Sequence, residues 1–132
     1  MSTYDNASTD PHHGGKIMAT HTERVVAEVL AERHRQMHDE AWTPMHDDKH
    51  TDGEIARAAA CYALNAACAD VARNVGAMEA ERGDDPSLYF VRRYWPWENA
   101  WWKPKDRRRD LIRAAALIVA EIERLDRAAG AA

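Results

Sequence analysis

Between Glu54 and Asp70 the chain carries alanine at positions 56, 58, 59, 60, 63, 66, 67 and 69. No residue favours the helix more than alanine. Its single methyl also leaves the helix narrow on every side, so neighbouring helices can approach closely. One face of such a helix is Cys61, Leu64, Cys68, Val71 and Val75, and a second is Ile55, Ala59, Tyr62 and Ala66. A helix that is apolar on two faces has to be covered on both. The segment therefore predicts the central helix of an all-α domain, opening at the capping box Thr51-x-x-Glu54 and running to about Gly76.

Two further helices are predicted around it. Thr20-x-x-Glu23 is a capping box, and Val26, Leu30, Arg33 and Met37 recur behind it at helical spacing, with Val25 and Val29 widening the stripe. That places a helix at about 21–40. Asp106 is positioned to cap another, in which Leu111, Ala115, Ile118, Ile122 and Leu125 follow a four-three repeat, read as a packed seam. Gly83-Asp84-Asp85-Pro86 signals a turn. Trp95-Pro96-Trp97 and Trp101-Trp102-Lys103-Pro104 interrupt residues 87–104, because proline breaks a regular helix. No period-two pattern is long enough for a sheet, and only Leu88–Val91 has the makings of a short strand. The expected architecture is three main helices in a compact bundle with a Trp/Pro-rich loop between the second and third. Residues 1–19 lack periodicity and are expected to be a disordered, flexible tail, leaving 20–129 as a single helical domain.

Composition excludes several classes. The longest apolar run, Ala114–Ala120, is seven residues, against the ~20 that cross a bilayer. The polar stretch Met1–Gly15 does not read as an export leader. Cys61 and Cys68 would stand about 10 Å apart along one helix, too far for a disulfide. They read as buried, inert thiols in a reducing compartment. The expectation is a cytoplasmic protein without membrane contact.

The net charge of −4 is an average over two unlike parts. Residues 1–91 carry 8 Lys/Arg against 16 Asp/Glu, while residues 92–113 carry eight basic residues against three acidic ones. The same short stretch holds four of the five tryptophans. Arginines pair with phosphate and indoles stack on bases, so Arg57, Arg108, Arg109 and Arg113, with Trp97 and Trp101, are candidate contacts to a nucleotide-like anion. Arg107, Arg108 and Arg109 also crowd the positive end of a helix dipole, which calls for an anion from the acidic half or from outside. The plainer reading has at least two of the tryptophans capping the core, and the helix charges joined in ion pairs such as Arg33–Glu54 or Arg57–Asp110. The loop from 41 to 51 concentrates a second signal: His46, Asp47, Asp48 and His50 are candidate ligands for a divalent ion. Their plainer reading is that Asp47 and Asp48 cap helices or pair with arginines. His34 and His38 share a helix face, but Arg35 follows His34 and no H-E-x-x-H motif is present.

Several strings resemble a small protein family of bacteriophages and prophages. They are Glu32-Arg33-His34-Arg35-Gln36, Trp42-Thr43-Pro44 with His46-Asp47-Asp48-x-His50, and Gly53 to Tyr62. Trp95-Pro96-Trp97, Trp101-Trp102-Lys103-Pro104, Arg108-Arg109-Asp110-Leu111 and Ala120 to Arg127 complete them. The resemblance spans about residues 22–128 and implies a phage accessory origin. More distantly, the first helix and Leu111–Leu125 are similar to the MazG-like all-α nucleotide pyrophosphohydrolases. That similarity implies a helical fold, with acidic residues holding Mg²⁺ or Mn²⁺ against a triphosphate. This chain departs from the motif: Glu54 is followed by Arg57, Ala58 and Cys61 where further carboxylates belong.

The preferred expectation is a non-catalytic phage-type protein that binds a nucleotide-like anion or a host macromolecule such as a host defence protein, and so counteracts a bacterial defence system. One alternative is a metal-dependent nucleoside triphosphate pyrophosphohydrolase using Glu54 and Asp110. Another is a self-assembling structural protein, a homo-oligomer joined through the Leu111–Leu125 seam.

Overall fold

The computed structural model describes residues 18–130. Most of the tail expected at 1–19 lies outside them. All regular structure among the described residues is helical: α1 (His21–Asp39), α2 (Pro44–Asp47), α3 (Glu54–Ala67), α4 (Asp70–Val75), α5 (Pro86–Tyr94) and α6 (Arg107–Ala128). Single 3₁₀ turns stand at Ala77–Glu79 and Asn99–Trp101. The alanine-rich α3 is central, with α6 packed on one side and α5 on another, and α1 and α2 packed on α6. The core joins Ile55, Ala58, Ala59, Cys61 and Tyr62 of α3 to Leu88 and Val91 of α5 and to Ala114, Leu117 and Ala120 of α6.

The capping signals are read by the backbone in two of three cases. Thr20 and Glu23 form the reciprocal box at the start of α1, and the Asp106 carboxylate accepts from the Arg109 N–H at 2.8 Å. Thr51-x-x-Glu54 forms no box. Gly53, in the left-handed region at φ 79°, occupies the N-cap of α3, and Glu54 takes the Asp52 N–H instead.

The central helix also ends earlier than its composition predicts, at Ala67, with Cys68 extended and α4 starting anew at Asp70. Two arginines from elsewhere take the carbonyls released there. Arg73 donates to the Asn65 carbonyl at 2.7 Å, and Arg107 donates to that of Cys68 at 2.7 Å. Charged donors at a helix C-terminus satisfy its orphan acceptors. Leu88–Val91 is helical and not a strand. Asp85 caps α5 through the Ser87 N–H, Pro86 fills the first turn, and Leu88 and Val91 are fully buried three residues apart.

The four-three seam of α6 is not packed inside the chain. Leu111, Ile118, Ile122 and Leu125 are each 50–53% exposed, while Ile112, Arg113, Ala116, Leu117, Ala120 and Arg124 are buried. The alanine surface of α3 selects the small-residue side of α6, because two such surfaces pack closest, and the bulky stripe is turned outward. On α1, Val26 and Leu30 face out as well, and the buried residues are Glu32, Arg33 and Gln36.

Replacing fully buried Leu88 or Leu117 by alanine is expected to cost about 2–5 kcal/mol. Val71→Ala, on an exposed part of α4, should stay within about 0.5 kcal/mol. Urea denaturation followed by circular dichroism distinguishes the two.

Candidate functional site

The arginines singled out in the sequence are met mainly by the acidic half of the same chain. Arg108 forms a two-pronged pair with Glu28 at 2.7 and 2.5 Å, and Arg109 pairs with Glu32. Arg113 lies 3.9 Å from Glu32 and 3.8 Å from Glu40, donates to the Tyr62 hydroxyl at 3.2 Å, and sits over the Tyr62 ring. Arg57 donates to the Asp52 carbonyl at 2.8 Å, not to Asp110. Asp110 is buried and accepts from Lys105 N, Asn65 Nδ2 and Arg73. Arg33 reaches Asp47 at 2.9 Å, Glu123 at 3.2 Å and the Trp42 carbonyl at 3.0 Å, so the expected pair with Glu54 does not form. The cause is the fold-back after α1, which lays Trp42 and Asp47 beneath Arg33. Asp48 pairs with Arg127 at 2.8 Å.

Glu32 is the centre of this network. Its carboxylate is 2% exposed and receives Arg35, Arg109 and Gln36. Burial pushes its pKa upward, but the hydrogen bonds from Arg35 and Arg109 outweigh burial and hold it below the ordinary value of 4.5. Cys61, by contrast, has its thiol pushed up to about 12 by burial, with Arg57 opposing only weakly, so it offers no nucleophile at neutral pH.

The tryptophans divide into core and cavity. Trp95 and Trp102 close around Tyr62, with ring centroids 5.6 and 4.6 Å from it, and the Tyr62 hydroxyl accepts from the Lys103 N–H at 3.1 Å. Trp97 bridges from Trp95 to Trp42, at 5.5 and 5.4 Å. Beside this bridge opens a cavity of about 790 Å³, within the size range of small-molecule sites. Trp42, Trp97 and Trp101 wall it, His46 and His50 reach it from α2 and the loop behind it, and Glu40 and Glu98 also line it. Trp101 is 45% exposed, and Lys103 holds its ammonium 5.6 Å from the Trp101 ring centroid. At the end of α1, Ala41 adopts a left-handed φ of 58°, and the Trp42 N–H returns to the Gln36 carbonyl at 2.9 Å. That sharp turn is what brings Trp42 back under the helix.

His46 and His50 form part of a four-membered chain. Asp47 Oδ1 lies 3.3 Å from His46 Nδ1, His46 Nε2 lies 3.4 Å from His50 Nε2, and His50 Nδ1 lies 3.1 Å from Glu54 Oε2. Burial raises the Glu54 pKa. Hydrogen bonds from its own N–H, from His50 and from the Asp52 N–H more than reverse this, and the carboxyl ends below its ordinary value. Among the described residues, no group of three or more His, Cys, Asp or Glu side chains is arranged to hold a metal ion. Asp48 faces Arg127 and does not join His46 and His50.

The structure thus brings together Trp97, Trp101, His46 and His50 from two separate sequence signals, and places Arg57, Arg108, Arg109, Arg113 and Asp110 in other contacts. Trp42, Glu40 and Glu98 line the cavity without having been singled out as site residues. The proximity of Trp42 to the histidine cluster in sequence was the available signal for the first. Nothing local marks the two glutamates. No family model, curated protein or solved structure matches the chain. Among the described residues, no helix is long and apolar enough to cross a membrane.

The lowered Glu32 carboxyl fixes the sign of the acid response. A carboxylate with a folded pKa below its unfolded one stabilises the fold above about pH 4.5 and loses that contribution as the pH falls through the lowered value. The melting temperature should therefore fall steeply below about pH 4.5, and Glu32→Gln should be less stable at pH 7 with a flatter acid limb.

Proposed function

We propose that this protein is a non-catalytic binding protein whose cavity takes the planar face of a nucleobase or a similar heterocycle. The observation that carries the reading is the cavity walled by Trp42, Trp97 and Trp101, with Glu98 among its lining residues. Indole faces stack on flat aromatic rings, and carboxylates accept hydrogen bonds from exocyclic amino groups. Nucleotide phosphates would extend toward Lys103 beside Trp101, because Arg108 and Arg109 are engaged with α1. The resemblance to phage and prophage proteins extends this to an accessory protein acting in the bacterial cytoplasm on a host ligand or a host defence protein.

Binding is favoured over pyrophosphate release by the state of the carboxylates that hydrolysis would need. Glu54 is taken up by His50 and the Asp52 N–H, and Asp110 by Lys105, Asn65 and Arg73. Neither is free to hold Mg²⁺ or Mn²⁺ against a triphosphate.

Nucleoside and nucleotide titrations in metal-free buffer, read by tryptophan fluorescence, test the proposal. We expect saturable quenching, with binding weakened by about 10-fold or more in Trp101→Ala, since base stacking on an aromatic side chain is worth ~1–3 kcal/mol. Trp101 is surface-exposed, so the variant should keep its fold. Absence of saturable quenching by all four nucleosides overturns the reading.

A second reading, self-assembly, is favoured by the outward stripe Leu111, Ile118, Ile122 and Leu125, which keeps coiled-coil spacing, and by Val26 and Leu30 on α1. Analytical ultracentrifugation should then show a species larger than the 14.9 kDa monomer that Ile118→Glu reduces to one chain without loss of helicity. A wild-type monomer at high micromolar concentration excludes it.

A further inference from the structure

His46 and His50 face one another through their Nε2 atoms, with a carboxylate behind each ring. Each Nδ1 faces a carboxylate, Asp47 at 3.3 Å and Glu54 at 3.1 Å. An ionised carboxylate only accepts hydrogen bonds, so a ring whose Nδ1 donates to one keeps its Nε2 as a lone-pair nitrogen. The two Nε2 atoms stand 3.4 Å apart, and a metal ion between two such lone pairs would be held by both rings.

We infer that His46 Nε2 and His50 Nε2 are paired ligands for a divalent transition-metal ion of the zinc, copper or nickel class, held at the wall of the tryptophan-lined cavity. The spacing fits: two nitrogens at 2.0–2.1 Å from a tetrahedral centre stand about 3.3–3.4 Å apart. The surroundings fit as well. Metal-bound histidines characteristically donate their other ring N–H to a carboxylate, which fixes the tautomer and aims the ligand nitrogen. Both histidines have that partner here, from different elements. Aromatic neighbours restrain the rings further, with Trp42 parallel to His46 at 6.2 Å and Trp97 edge-on to His50 at 5.5 Å. Imidazole donors select zinc, copper and nickel over magnesium and calcium. Two protein ligands leave the remaining coordination positions to water or to a donor atom of whatever occupies the cavity. The inference rests on the two imidazoles and is independent of the heterocycle proposed for the cavity.

The test starts from a full-length background in which the other paired histidines are removed, His12→Gln, His13→Gln, His34→Gln and His38→Gln. His34 and His38 are exposed on α1, and His12 and His13 lie outside the described residues. Titration with Cu²⁺ or Ni²⁺ should quench tryptophan fluorescence at one equivalent, because Trp42 and Trp97 flank the ligands, and Zn²⁺ should compete. Adding His46→Gln or His50→Gln should weaken binding at least tenfold, and Glu54→Ala about 10–100-fold through loss of the orienting bond. Circular dichroism checks each fold. Should the histidine variants unfold, the Cu²⁺ electron paramagnetic resonance spectrum of the background protein supplies the reading, through superhyperfine coupling to two imidazole nitrogens. No stoichiometric binding by the background protein, or equal binding after His46→Gln with His50→Gln in a folded protein, overturns the inference.

Discussion

A carboxylate buried between two helices organises this molecule. Glu32 is removed from water on α1 and is met by Arg35 of its own helix and Arg109 of α6. Burying an ionised group is costly unless its partners accompany it into the interior. The contact therefore forces α1 to dock on α6 in one rotational setting, and Glu28–Arg108 and Arg33–Glu123 extend it to either side. An apolar interface of similar area tolerates sliding, whereas this one leaves a charge unpaired if it slips. Removing a single partner should accordingly be more damaging than replacing the whole cluster by well-packed hydrophobic residues.

The aromatic cavity inherits its position from this docking. Glu40, at the end of α1, is held by Arg35 and approached by Arg113, and Arg113 in turn donates to the Tyr62 hydroxyl. Tyr62 is the residue around which Trp95 and Trp102 close. The route from buried charge to tryptophan wall is thus a chain of direct contacts. The turn at Ala41 then places Trp42 opposite Trp97, and Arg33 clamps the returning loop through the Trp42 carbonyl and Asp47. One acidic helix end, one arginine-rich helix start and one tryptophan segment, separate in sequence, become walls of a single site.

Much of the helical content was legible because it is written locally. Thr20 and Glu23 mark the start of α1 and Asp106 that of α6 through bonds to backbone within three residues. The alanine run announces a helix that needs neighbours. The break at Cys68 was not legible, since the groups that end α3 are Arg73 and Arg107, eight and 39 residues from the carbonyls they take. The seam of α6 misled for a related reason: periodicity identifies a stripe but not the side on which the partner lies. Of the candidate site, the histidines and two tryptophans stood out by density and type. Their union did not, because no rule of spacing brings residues 46 and 50 against residue 97.

The sequence by itself determined an all-helical fold, the starts of α1 and α6, and an uneven charge that required an internal or external answer. Those properties depend on backbone propensity and on bonds between residues a turn apart. Tertiary structure alone decided that Glu28 and Glu32 supply much of that answer, that small residues rather than bulky ones face α3, and that tryptophan and histidine share a cavity. Each of these is a choice among partners distant along the chain, settled by which arrangement pairs every buried charge while letting alanine surfaces close on one another.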